Sequence, residues 1–423
     1  MIPPIHGFLA PFRAGLLALI GLLACGGSAC AADRFQLNPP RVQLDGNLAR
    51  FQLVVTGPDA KGEFGERSAD LTGKARYRSA KPGIVLVSDS GQLIAAGDGE
   101  TVVTVTVDAG EVLVPVRVNG VSKKAVVGFT DQVVPLLSKA GCNMGACHAA
   151  QYGQGGFKLS VFASEPSQDH FAITRAALGR RVSGVDPAGS LLLRKASGAV
   201  IHGGGKRLDG SGEGESGAIR AADFRLLEQW IADGAPGPLG DAPTVTELQV
   251  WPARRIGPIG TTQQLRVTAR YNNGKTRDVT SWAKFDSTDE GVVQVSSSGV
   301  VKTVGRGQGA AMIRFDGHAI LARFVVPFAS AVPLAGWVDH NFIDRLARAR
   351  FQEIGIAPSP LCDDATFLRR AYLDAIGTLP TVEQASAFLA SPDAEKRKKL
   401  IDRLLGLTGD PAQISLGVDF DQA

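Results

Sequence analysis

Asp70-Leu-Thr72, followed by Ala75, Tyr77, Ser79, Gly83, Val85, Val87-Ser88, Gly91, Gly97 and Gly99, sets the class of this chain. The same order returns without a gap at an offset of 208 residues: Asp278-Val-Thr280, Ala283, Phe285, Ser287, Gly291, Val293, Val295-Ser296, Gly299, Gly305 and Gly307. In both stretches short β-branched runs alternate in polarity and stop at Gly, the pattern of antiparallel strands joined by tight turns. Thr101-Val-Val-Thr-Val-Thr-Val107 and Glu111-Val-Leu-Val-Pro-Val-Arg-Val118 close the first copy, and 310–327 closes the second. A copy of about 80–90 residues with some seven strands makes a small sandwich. Trp251 and Trp282 are expected as strand-edge and core residues rather than a sugar platform.

The length of 423 residues implies two to four domains. Gly 51 and Pro 23 make the chain turn-rich, and 44% hydrophobic residues suffice for packed cores. A charged fraction of 20% and a net charge of +4 exclude a disordered polyelectrolyte and give no sign of nucleic-acid binding. Collagen-like and multi-span membrane classes are also excluded.

The first residues have the layout of a secretory signal peptide, expected over 1–31. Arg13 precedes the apolar run Gly15-Leu-Leu-Ala-Leu-Ile-Gly-Leu-Leu-Ala24, which is too short to span a bilayer core needing about 20 residues. Ala29-Cys-Ala31 offers a site for soluble release. Leu22-Leu-Ala-Cys25 resembles a lipoprotein box, in which a lipid on Cys25 would tether the chain to a membrane. Both readings export the chain to the periplasm, envelope or exterior. Cys142, Cys147 and Cys362 then remain, too few for a disulfide framework.

The repeated motifs resemble the bacterial Ig-like group 2 domain, over 33–120 and 244–328. The resemblance implies exported spacer or adhesive modules, with envelope polysaccharide as a possible partner.

The stretch 121–243 between the copies differs in texture. Phe129, Val133, Leu136 and Leu137 have helical spacing, and Phe224, Leu227, Trp230 and Ile231 share a helix face ended by Gly234 and Pro236. Cys142-Asn-Met-Gly-Ala-Cys147-His148 lies between them. Two thiols able to reach two haem vinyl groups, with an imidazole next to the second, are what a c-type haem requires. The four-residue gap is longer than the usual two, and a Cys142–Cys147 disulfide is the competing reading. Gly155-Gly-Phe-Lys-Leu159, Asp186-Pro-Ala-Gly-Ser-Leu-Leu-Leu-Arg194, His202-Gly-Gly-Gly-Lys-Arg-Leu208 and 227–236 follow in order. This succession resembles the planctomycete-type cytochrome c modules of large secreted proteins. The resemblance implies covalent haem c on Cys142 and Cys147, iron on His148, and a sixth ligand from a Met-Pro-Pro-type segment; this sequence departs there, with His202 at the matching place. His170 is the reserve ligand. Lys206, Arg207, Arg180 and Arg181 are candidates for pairing with haem propionates or an unidentified redox partner. The expected fold is therefore two all-β Ig-like sandwiches flanking an all-α cytochrome c-like domain, with a C-terminal α-helical segment.

That segment, 334–407, has apolar stripes at Phe342, Leu346 and Phe351 and at Phe367, Leu368, Ala371 and Tyr372. An N-cap is expected at Asp363 or Asp364, and a capping box at Thr381-Val-Glu-Gln384. Residues 358–380 resemble the start of an uncharacterised helical domain that accompanies such cytochrome modules. The match ends near Leu407, so the domain reads as truncated, with 408–423 as a tail. No Ser/His/Asp series, carboxylate pair or H-E-x-x-H string marks an enzyme. The expected function is exported electron transfer or haem binding with Ig-like spacers. The alternatives are a haem-free surface adhesive or scaffold protein, and an accessory part of an envelope hydrolase.

Overall fold

A computed structural model describes residues 35–408 except 109, 122–125, 211–218, 220, 241, 331 and 335. The leader expected over 1–31, with Cys25 and Cys30, and the tail beyond residue 408 lie outside the described residues. Residues through Phe328 form one compact unit and those from Ala329 a second.

The first copy consists of β1 (Gln36–Asn38), β2 (Val42–Asp45), β3 (Arg50–Gln52), β4 (Val54–Gly57), β5 (Ala69–Asp70), β6 (Arg76–Ser79), β7 (Val85–Val87), β8 (Gln92–Ala95), β9 (Gly99–Val107) and β10 (Gly110–Asn119). Its sheets run β2-β10-β9-β6, β1-β4-β5 and β3-β8-β7. The second copy repeats this plan in β11 (Val245–Trp251), β12 (Arg254–Ile256), β13 (Thr262–Gln264), β14 (Arg266–Tyr271), β15 (Thr276–Asp278), β16 (Lys284–Ser287), β17 (Val293–Val295), β18 (Val300–Thr303), β19 (Gly307–Phe315) and β20 (His318–Val326). The second set of sheets is β12-β20-β19-β16, β11-β14-β15 and β13-β18-β17, so each strand has a counterpart ten places on. Even the exceptional parallel pairings correspond, β2 with β10 and β12 with β20. In β9 the valines at 103, 105 and 107 are buried and the threonines between them are not, as period-two burial requires.

The repeated letters have a packing reason. At Gly91 φ is +76° and an added Cβ would strike the Tyr77 ring at 2.8 Å; at Gly299 φ is +82° and the Phe285 ring stands at the same distance. A left-handed turn under an aromatic lid admits only Gly there.

The Asp-x-Thr motif does two things. Locally, Asp70 Oδ1 accepts from Thr72 N (3.0 Å) and the Thr72 hydroxyl accepts from Val55 N (2.9 Å). In the second copy Asp278 Oδ1 accepts from Thr280 N (2.9 Å) and Thr280 Oγ1 from Val267 N (2.8 Å). The remaining carboxylate oxygens cross between copies. Asp70 Oδ2 accepts from Gln264 N at 2.7 Å, and Asp278 Oδ2 from Gln52 N at 3.0 Å. Each copy thus satisfies a backbone donor of the other, an arrangement resembling an isologous interface within one chain. The link is extended by Ile256 N donating to Glu66 O at 2.8 Å and by the Arg254–Glu66 pair. Burial raises the carboxyl of Asp278 to about 6 and moves Asp70 in the same direction, against the pull of these hydrogen bonds.

The stretch between the copies corrects one expectation. A separate all-α cytochrome c-like domain is not formed. Its regular structure is a π-helical turn (Phe129–Val133), α1 (Val134–Lys139), α2 (Pro166–Thr174), α3 (Leu191–Ala196) and α4 (Ala222–Ala232), joined largely by turns and loops. Its apolar residues Phe129, Leu136, Leu227, Trp230 and Ile231 share one buried cluster with Leu265, Val267, Trp282, Phe285 and Ile313 of the second copy. Among the described residues no group of three or more His, Cys, Asp or Glu side chains converges to hold a metal ion. The physical reason is that α1 and α4 are short, and their apolar residues are buried in a core completed by residues of the second copy rather than by helices alone. Lys139 strengthens this junction: Nζ donates to Ala283 O (2.6 Å) and Ser297 O and lies 4.9 Å from the Phe285 ring centroid. Burial lowers its pKa to about 8.

In the second unit α5 (Phe342–Ile354), α6 (Asp364–Ile376), α7 (Val382–Ala390) and α8 (Lys396–Leu404) follow in order. The Thr381/Gln384 capping box forms, and Asp363 rather than Asp364 caps α6 by accepting from Thr366 N at 2.7 Å. Asp364 instead pairs with Lys396 and Arg397. Leu368, Tyr372, Phe388, Leu400 and Leu404 form the core, whereas α5 buries none of its residues.

Candidate functional site

The Cys142–His148 loop follows α1, whose last turn hands over through Cys142 N donating to Leu137 O at 2.9 Å. Inside the loop Cys147 N donates to Met144 O (2.8 Å) and His148 N to Cys142 O (3.1 Å), so backbone bonds return His148 to the first cysteine. Lys284 of the second copy reaches Met144 Sδ at 3.6 Å, another tie to the sandwich. Asn143 is buried and donates its amide to Ser138 Oγ at 2.7 Å.

Cys142 and Cys147 are both free thiols, so the competing disulfide is not formed. Burial, then the neighbouring Cys147, pushes the Cys142 thiol up to about 11. A thiol of that kind is protonated at ordinary pH and a poor nucleophile.

His148 and His202 are brought together across 54 positions of chain, with ring centroids 6.3 Å apart and 14° between the planes. Each ring has one nitrogen tied to a main-chain carbonyl: His148 Nδ1 to Phe157 O at 3.0 Å, His202 Nδ1 to Gly205 O at 2.8 Å. Because both carbonyls can only accept, Nδ1 of each ring carries a proton; His148 makes a further backbone hydrogen bond to Gln154. Burial depresses the His148 pKa, partly offset by the Phe157 bond. The ring of Phe157 stands 4.5 Å from that of His148, tilted by 46°.

The other expected site residues divide. His170 is structural: Nε2 bonds to Ala235 O at 2.8 Å and the ring packs edge-on against Phe129 and Trp230. Arg181 is 9% exposed and gives its protons to carbonyls, so it is not a free cation for a propionate. Lys206 pairs with Asp209 at 3.0 Å. Trp282 is buried with Arg50 and Arg277 near its ring, and Trp251 is half-exposed, as their sequence context suggests. The reciprocal roles of Asp70 and Asp278 went unread in the sequence, although the repeated Asp-x-Thr was its most visible signature. Among the described residues no helix is long and apolar enough to cross a membrane.

No curated protein matches the chain. Among solved structures, domains 5–6 of the S-layer protein SbsC align at 12% identity with a TM-score of 0.26, covering 69% of this chain and 96% of that one. Domains 4–9 of the same surface-layer protein align at 12% identity and TM-score 0.27, covering 72% and 33%. Invasin, described as a bacterial integrin-binding protein, aligns at 12% identity and TM-score 0.15, covering 70% and 60%. Scores this low do not establish a shared overall arrangement. Residues 342–408 of the second unit match the PSCyt2 family, described as a protein of unknown function (DUF1549).

Proposed function

We propose that this chain is an exported scaffold of the cell envelope or cell surface, built on two Ig-like sandwiches locked into one body. The observation that carries this reading is the reciprocal aspartate clasp between the copies. A flexible spacer would join its modules by a polar linker with few cross-links. Here the intervening stretch fills the junction and the copies bond directly, which suits a part that holds a distance. Protease treatment of intact producing cells should release sandwich peptides, and their complete protection together with purely cytosolic fractionation would overturn the reading.

A second reading, that the Cys142–His148 loop carries a covalent haem c, has its own support. Cys142, Cys147 and His148 would hold such a group, with His202 beside them, its ring centroid 6.3 Å from that of His148. The donor set fits: two free thiols for the vinyl groups, and two imidazoles whose Nδ1 atoms are held by main-chain carbonyls. Haem bound there would supply one-electron redox chemistry at low potential, because His replaces the Met that raises it. No all-α cytochrome domain is needed for this. The chain's own residues supply attachment and orientation. The pyridine haemochrome spectrum of protein matured with haem-attachment machinery tests this reading. A c-type spectrum lost in Cys142→Ser supports it, and colourless wild-type protein refutes it while leaving the scaffold intact.

A further inference from the structure

We infer that Arg181 is a positioning residue that presets His148 as the Nδ1–H tautomer, by pinning the segment whose carbonyl accepts that proton. The inference rests on the second reading above for its purpose, but not for its geometry.

Arg181 follows α2 and folds back on it. Nη1 donates to Ala172 O at 2.8 Å and Ala176 O at 3.0 Å, carbonyls at and just beyond the C-terminal end of α2, where a cation is favourably placed. Nη2 donates to Gly156 O at 3.2 Å. The guanidinium carbon lies 4.5 Å from the centroid of the Phe157 ring. One planar cation therefore ties the end of a helix to residues 156 and 157, and Phe157 O is the acceptor for His148 Nδ1 at 3.0 Å. The turn before it is tight: Gly153 has φ +67°, and a Cβ there would fall 2.1 Å from the same Phe157 oxygen. No other residue could let that carbonyl come so close. The segment around Ala177 and Leu178, with φ of +52° and +59°, is strained, and two of the Arg181 bonds span the approach to it.

Lysine cannot replace this fork, since its single ammonium cannot serve carbonyls on both sides while stacking on the ring. His202 is an internal control, because its own acceptor, Gly205 O, belongs to another turn. Hydrogen bonds of the neighbouring ring nitrogens to main-chain carbonyls are the kind of support that orients metal-binding histidines.

The test uses the full chain, without haem, at about pH 8 so that the rings are neutral. Long-range proton–nitrogen NMR correlations report each ring's tautomer, and intrinsic tryptophan fluorescence reports folding. The expected result is Nδ1–H for both histidines in the wild type. In Arg181→Lys the Nε2–H to Nδ1–H ratio of His148 should rise at least about fivefold, with His202 unchanged. Arg181→Met, which keeps length but no donor, should act in the same direction. An Nε2–H tautomer for His148 in the wild type, or an unchanged ratio in a folded variant, overturns the inference. Failure of the haem reading would look different: colourless matured protein with the wild-type tautomers in place.

Discussion

The two sandwiches share a plan strand for strand, yet their cores end differently. In the first copy Phe35, Leu53, Val85, Leu93, Val103 and Val114 close a cluster of their own. In the second, the cluster runs on from Leu265 and Ile313 into Phe129, Leu227 and Trp230 of the intervening stretch. The first copy meets the stretch only at its margin, through Ile94 against Ile219 and Ala222 and the Arg50–Asp223 pair at 2.5 Å, whereas the second completes its neighbour's core. The difference teaches that the 121–243 stretch is not free-standing, and the same sheet that it needs for burial also fixes where the Cys142–His148 loop sits.

The sharpest way to break this comparison is Trp230→Ala. Trp230 is fully buried, and its loss should cost about 3–5 kcal/mol. Hydrogen exchange should show protection falling in α4 and in β16 and β19 together, while β9 and β10 of the first copy stay protected. Loss confined to α4 would show that the shared core is not cooperative.

Next in size is the pH response of the clasp. Asp278 has a folded pKa of about 6 against an ordinary value of 3.8. The folded state binds the proton more tightly, so this group's contribution is present below about pH 4 and is lost as pH rises through about 6. Relative to Asp278→Asn, the wild type should gain stability on acidification from pH 7 to 5, by about 1.3 kcal/mol. Urea midpoints of the two proteins across that range check the sign; parallel curves would contradict it.

Removing the clasp oxygens gives an effect of similar size. Asp70→Ala and Asp278→Ala each leave backbone donors of Gln264 or Gln52 without their acceptor, at about 1–3 kcal/mol. The near equality of the two is the point to measure, by denaturation, because reciprocity predicts it. The smallest effect separates the aromatic lids. Tyr77 Oη donates to Thr72 O at 2.9 Å, a bond Phe285 cannot make. Tyr77→Phe should lower stability by about 1 kcal/mol and make the first copy resemble the second, and thermal melts read it.

Much of the sandwich architecture was legible because its causes are local. Alternating Val and Thr in β9, the Gly91/Tyr77 and Gly299/Phe285 pairs and the capping residue of α6 are decided within a few positions or by a repeat that advertises itself. The candidate site was legible in part. Cys142, Cys147 and His148 fall within seven residues, and His202 is suggested by resemblance, but Arg181 reads from the sequence as a contact for propionates or a redox partner. Its role depends on three carbonyls supplied by two separate segments, which no spacing rule announces.

What the sequence alone determined is the tandem β repeat, its turns and the existence of one Cys/His loop, since side-chain alternation and backbone preference act over short distances. Only the tertiary structure decided that the middle stretch surrenders its apolar face to the second sandwich, that each Asp serves the other copy, and that His148 and His202 stand 6.3 Å apart. Those outcomes depend on which buried surfaces find each other across more than fifty residues, and that choice is made by the burial of the whole unit.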